Sequence, residues 1–128
     1  MRLLLDTHIA LWAITDSPAL SAEARRHILA QRNEIYISAA SIWEISIKHG
    51  LRRGTMPVSG SEAVEYFAKA GYMTLDISST HAAFVETLPA HHADPFDRML
   101  VAQALSEPMR LLTHDKMVAS YSNLVLLV

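Results

Sequence analysis

Asp6, Glu44, Asp97 and Asp115 are the side chains of this sequence best placed to do chemistry, and their surroundings say why. Asp6 closes the apolar run Leu3-Leu4-Leu5, and Asp115 follows Leu111-Leu112-Thr113-His114. Asp97, with Asp94, stands at the head of Asp-Pro-Phe-Asp-Arg-Met-Leu-Val-Ala-Gln-Ala (94–104). Glu44 is the one acid in the mostly apolar stretch Ile42-Trp43-Glu44-Ile45-Ser46-Ile47. Acids at the carboxyl ends of parallel strands face the crevice where open α/β sheets bind ligands. Carboxylates that converge there repel one another unless a cation joins them, and hard oxygen donors suit Mg²⁺ or Mn²⁺. Such a site points to phosphate chemistry.

Each of these acids also has a plainer use. Asp6 and Asp115 precede helices and read equally well as N-caps. Asp76, after Leu75, passes the same strand-end test, so the test alone does not select. Asp94 is a cap for a helix starting at Pro95, and Asp97 complements the positive helix end. Glu44 can pair with Lys48 four residues on, which contributes roughly 0.2–0.5 kcal/mol on an exposed face. The isoleucines and Trp43 around Glu44 argue against an exposed face and for a carboxylate turned into a cleft. The cations Lys48, Arg52, Arg53, Arg98 and Lys116 lie beside these acids and are candidates to grip phosphate, with ordinary surface charge as the alternative.

Other chemistries fit poorly. The seven histidines include His91-His92 near Asp94, but no His-Glu-x-x-His spacing exists, so zinc is the minor reading. The histidine pair reads first as a solvated or hydrogen-bonded feature of a loop. No Gly-x-Ser-x-Gly elbow is present, and four glycines build no phosphate-cradling loop. Trp12 and Trp43, by their spacing, read as core or dimer-interface residues rather than base-stacking platforms.

The elements that must position the acids alternate between strand and helix. Residues 2–6, 35–37, 72–75, 110–113 and 124–128 read as strands. Helices are expected over 8–14, 22–32 behind Ser21, from Ser38 or Ser41 to about Gly50, 60–70, 79–88, 95–106 and 115–121. That order implies a mainly parallel sheet covered on both faces, a three-layer α/β/α sandwich. The chain has 128 residues, 51% of them hydrophobic, which fits a single domain over 1–128 with its own core. It has no cysteine, so disulfides and thiolate metal sites are excluded. No stretch approaches the roughly 20 apolar residues of a membrane helix, Asp6 interrupts any leader-like start, and a cytoplasmic location is the simpler reading. The net charge of −2 argues against a protein that coats nucleic acid, but not against a nuclease with acidic ligands.

Taken together, four blocks of the sequence resemble the PIN-domain nucleases, and within them the VapC-like toxins of bacterial toxin–antitoxin pairs. Leu4-Leu5-Asp6-Thr7-His8 with Trp12 is similar to the family's opening strand and first acid. Ser41-Ile42-Trp43-Glu44-Ile45 with Lys48 and Gly50 is similar to its second block. His92-Ala93-Asp94-Pro95-Phe96-Asp97-Arg98, followed by Leu100, Ala102, Gln103 and Ala104, is the most specific match. Leu112-Thr113-His114-Asp115 with Tyr121 is similar to the fourth.

The resemblance implies a Mg²⁺- or Mn²⁺-dependent endoribonuclease on a parallel-sheet sandwich. By position, Asp6, Glu44, Asp97 and Asp115 match the family's four acids. Asp6 and Asp97 would be direct metal ligands, Glu44 and Asp115 direct or water-mediated ones, and Asp94 an additional acid. Thr7 and Thr113 would support them. The expected partners are RNA, a cognate antitoxin and a second copy of the chain, with the apolar face around Ile9, Trp12 and Trp43 contributing to the dimer. Two other readings use the same residues. A metal-dependent phosphatase of small esters would want an Asp-x-Asp nucleophile pair, which Asp6-Thr7-His8 does not offer. A non-catalytic binding module would use the acids only as caps and ion-pair partners.

Overall fold

In the computed structural model, residues 1–51 and 56–128 are described. A five-stranded parallel sheet runs through the molecule in the order β3-β2-β1-β4-β5. Its strands are β1 (Arg2–Leu5), β2 (Glu34–Ser38), β3 (Met73–Leu75), β4 (Arg110–Thr113) and β5 (Val125–Leu127). Seven helices accompany them among the described residues: α1 (Thr7–Ile14), α2 (Ala22–Leu29), α3 (Ala39–Gly50), α4 (Gly60–Lys69), α5 (Ser79–Phe84), α6 (Pro95–Ser106) and α7 (Lys116–Ala119).

The central strand β1 shows why the sheet is covered on both faces. Leu3, Leu4 and Leu5 are all fully buried, and successive side chains of a strand point to opposite faces. Leu3 and Leu5 join Ile9, Leu11, Ala24, Ile45 and Phe67 in one core cluster, which belongs to α1–α4. Leu4 joins Leu100, Val101, Leu111 and Val118 in the other, which belongs to α6, β4 and α7. Leu3 pairs with Ile35 on one side, and Leu4 with Leu111 on the other. Apolar runs on both faces are the mark of a buried parallel strand.

From β1 the chain moves outward to β2 and β3, then crosses back to place β4 on the other side of β1. The strand order therefore reverses between β1 and β4, and a crevice opens beyond their carboxyl ends. Helix α3 leaves β2 beside that crevice, and α6 leads into β4, so both pass the same place.

Several helices start or stop elsewhere than expected, for local reasons. Helix α2 ends at Leu29 rather than residue 32. Ala30 turns extended, and Asn33 Nδ2 donates to the His27 carbonyl, closing the helix early. The helix expected over 79–88 is α5 followed by a separate 3-10 turn, Val85–Thr87. Asp6 and Asp115 cap the following helices and belong to neither strand nor helix. Ser38, not Ser41, caps α3. No helix among the described residues is long and apolar enough to cross a membrane.

Candidate active site

Helices α1, α3, α6 and α7 meet at the crevice around a cavity of about 610 Å³, whose walls include Asp6, Glu44, Asp94, Asp97 and Asp115. Asp76, which also follows a strand, is exposed beside the edge strand β3 and does not line it. Strand position within the sheet, which sequence does not reveal, makes that selection.

The capping role and the functional role turn out to be compatible. Asp6 Oδ1 accepts from the His8 N–H, Asp94 Oδ1 from Phe96 and Asp97, and Asp115 Oδ1 from Met117. In each case capping uses Oδ1 and fixes the carboxylate plane, leaving Oδ2 for other contacts. Asp6 Oδ2 accepts from Thr113 Oγ1 at 2.8 Å. The same Thr113 hydroxyl accepts from the Asp115 N–H at 3.0 Å, so one buried threonine holds two of the acids. Thr7 Oγ1 donates to Ser41 Oγ at 2.8 Å, tying α1 to α3 one turn before Glu44.

Glu44 is 5% exposed and bonds to Lys48 Nζ through Oε2 at 2.7 Å. It is thus both paired and turned into the cleft. Its other oxygen, Oε1, is buried and has no hydrogen-bond partner. A buried carboxylate oxygen without a donor is costly, and on a side chain that shares a cavity with Asp6, Asp94, Asp97 and Asp115 it fits a cation.

Charge crowding appears in the acidities. Burial raises the Asp6 carboxyl above its ordinary value despite the Thr113 and His8 bonds, and Glu44 adds to the rise. Asp97 is pushed up to about 7, by burial first and then by Asp6 and Asp94. Asp115 goes the other way: burial opposes its charge, but the Met117 N–H and His92 hold it below the usual carboxylate range.

His92 belongs to the site, and it is the hydrogen-bonded loop residue of the first reading rather than the zinc ligand of the minor one. Its Nε2 lies 3.2 Å from Asp97 Oδ2 and 3.3 Å from Asp115 Oδ2. Its Nδ1 accepts the Asp94 N–H at 3.0 Å, so the neutral ring carries its proton on Nε2. A protonated nitrogen is no ligand. His92 therefore holds Asp97 and Asp115 together as a donor, and the ligand atoms left are carboxylate oxygens. That set fits a hard divalent cation rather than zinc. The available signal was His92-Ala93-Asp94, a histidine two residues before a helix cap.

The candidate phosphate-binding cations divide. Lys48 and Lys116 line the cavity. Arg98 does not: its guanidinium donates to the carbonyls of Val85, Leu88 and Pro89 and to Tyr121 Oη. It serves as a clasp on the loop that carries His92, since Tyr121 Oη also accepts the His92 N–H. Arg52 and Arg53 lie outside the described residues.

The aromatic residues need correction. Trp12 is only partly buried and lines the cavity, and Trp43 is 60% exposed against Phe96, so neither is a core residue. Ile9, expected on the same apolar outer face, is 1% exposed and packs inward. Helix α1 puts Ile9 against the sheet, and Trp12, three residues on, packs at the edge of the same cluster.

Comparison with known proteins agrees with this arrangement. The PIN domain family model matches residues 3–124. Ribonuclease VapC22 of Mycobacterium tuberculosis (strain ATCC 25618 / H37Rv) is 28% identical over 119 residues, 92% of this chain and 90% of that protein. The fold is shared with VapBC2 from Rickettsia felis, solved bound to a DNA fragment from its promoter (TM-score 0.71, 21% identity, 98% of this chain and 96% of that one). It is shared also with VapBC-1 from nontypeable Haemophilus influenzae (TM-score 0.62, 17% identity, 95% and 96%). With the family's model spanning nearly its whole length and four acids gathered at the crevice of a parallel sheet, the chain belongs to the PIN domain family.

Proposed function

We propose that this chain is a divalent-metal-dependent endoribonuclease and the toxin of a toxin–antitoxin pair. The observation that carries the enzymatic part is the buried, unpartnered Oε1 of Glu44, a side chain that lines the same cavity as Asp6, Asp97 and Asp115. A binding module that used its acids as caps and ion-pair partners accounts for the bond from Lys48 to Oε2 but gives the buried Oε1 no role. Membership of the PIN domain family supports the reading, as does likeness to a protein named as a ribonuclease. The VapBC complexes that share the fold support a protein antitoxin as partner.

Asp6, Glu44, Asp97 and Asp115 would hold Mg²⁺ or Mn²⁺, with Asp94 beside them. When bound, the cation supplies the positive charge that activates water and offsets the charge developing on a phosphodiester. The chain's own residues prepare that event. Thr113 and the His8 N–H orient Asp6, and His92 keeps Asp97 and Asp115 together. Lys48 holds one oxygen of Glu44 and, with Lys116, offers positive charge to the RNA backbone. A second copy as partner is part of the same proposal. Of the apolar residues expected at that interface, Trp43 remains available, in line with exposed Ile47 and Leu51 along and just beyond α3.

The test is cleavage of total RNA by purified, antitoxin-free protein, with Mn²⁺, with EDTA, and with Asp6→Asn as control. Discrete fragments that require the ion and disappear in the variant are expected. A folded protein that cuts no RNA in Mn²⁺ or Mg²⁺ would overturn the enzymatic reading.

A further inference from the structure

The cleft does not end at the acids. A second cavity of about 390 Å³ adjoins the first, and the two share Thr7, His8, Trp12 and Lys48 as walls. Trp12 stands at their junction. It lies one turn after His8 on α1, with ring centres 5.9 Å apart. On its other side His114, from the end of β4, meets it edge-on at 5.4 Å. The two central strands thus each deliver an acid and an imidazole to the same place: Asp6 with His8, and Asp115 with His114.

Core packing does not account for this cluster. Ile9, Ala10 and Leu11 already bury the sheet-facing side of α1. Trp12 sits on the rim of that core, with His8 and His114 exposed beside it. Three rings beside catalytic carboxylates offer flat π surface where a substrate's next base would fall. Lys48, on the wall of both cavities, lies where an adjacent phosphate would pass.

We propose that Trp12, flanked by His8 and His114, is a stacking platform for the nucleobase next to the scissile phosphate, and that the smaller cavity receives it. This rests on the ribonuclease reading and sharpens it. The substrate must present an unpaired base, as a single strand or a loop, because a base inside a duplex cannot reach an aromatic face in the protein. Stacking tolerates every base, so Trp12 secures binding and register, while selectivity comes from what the cavity beyond it accepts.

Trp12 and Trp43 are the two tryptophans of the chain, which makes the test direct. In a Trp43→Phe, Asp97→Asn protein, Trp12 is the sole indole and the RNA stays intact. Titration with a single-stranded octaribonucleotide, in Mg²⁺, is expected to quench its fluorescence to saturation. The same sequence as a blunt duplex should quench little. In the otherwise native enzyme, Trp12→Ala should raise KM roughly tenfold to a hundredfold, with a smaller change in kcat, and Trp12→Phe should restore most of the loss. A merely structural Trp12 would instead lower the melting temperature and leave KM alone. Binding of the octamer, seen by anisotropy, without quenching would overturn the platform while leaving the nuclease reading intact. A native protein that neither binds nor cuts RNA would remove both.

Discussion

Asp97 shows how much a single carboxyl can report about this site. Its proton affinity is raised from the ordinary 3.8 to about 7, by burial and then by the charges of Asp6 and Asp94. Between those values the folded chain keeps a proton that the unfolded chain has released. The stability of the metal-free protein therefore declines as pH rises from about 4 towards 7. Asparagine titrates nowhere in that range. The melting temperature of Asp97→Asn, measured against wild type without metal, should gain on the order of 5 °C between pH 5 and pH 8. An unchanged difference would mean that Asp97 binds its proton ordinarily. The same variant is expected to lose RNA cleavage while keeping its fold, a result that circular dichroism and a fragment assay read together. At this scale the sequence was partly legible. Asp6, Asp94 and Asp115 looked like caps and like ligands, and the structure makes each a cap through Oδ1 while the residue lines the cavity. Arg98 misled because an arginine beside an acid in sequence says nothing of which way its long side chain turns.

Between elements, the close crossing of α3 and α4 deserves a specific prediction, because α3 carries Glu44. A Cβ on Gly60, the first residue of α4, would overlap Ser46 Oγ of α3. Gly60→Ala should therefore cost about 1–3 kcal/mol of stability, as overpacking does. Ser46→Ala in that background should recover only part of it, because Ser46 Cβ would still lie 3.1 Å away. Denaturant unfolding of the four proteins in the cycle measures this coupling, and simple additivity would count against the contact. Nothing in the sequence marks this crossing; Gly60 could as well have been an ordinary residue after the Ser59 cap. What could be read at this scale were some starts of helices, where Ser21 and Asp94-Pro95 act through neighbours three residues away or fewer. Helix ends were less legible. The stop of α2 depends on Asn33 reaching back to His27, a bond that periodicity does not encode.

At the scale of the whole molecule, the order of strands made the site, and no local pattern in the sequence gives that order. Alternating strands and helices implied a parallel sheet, but not that β1 and β4 would be the neighbours that open the crevice. The resemblance of four blocks to one family implied that the four acids would act together, while Ile9 was misassigned to an interface because burial depends on which helix face meets the sheet. The outer surface carries its own prediction. Trp43, Ile47 and Leu51 are exposed at four-residue intervals, a stripe that a second copy would cover. If the proposed second copy docks there, light scattering should give a dimer for the native protein and a monomer for Trp43→Glu with its fold unchanged; a native monomer would remove the dimer, and a dimeric variant would place its contact elsewhere. One hydroxyl of the centre joins distant parts of the chain. Thr113 Oγ1 donates to Asp6 Oδ2 and accepts the Asp115 N–H. The second oxygen of Asp6 therefore gains its donor only when β4 docks beside β1. The pairing that completes the sheet is also the event that assembles the site, so no partly folded form with β4 undocked holds the acids in place.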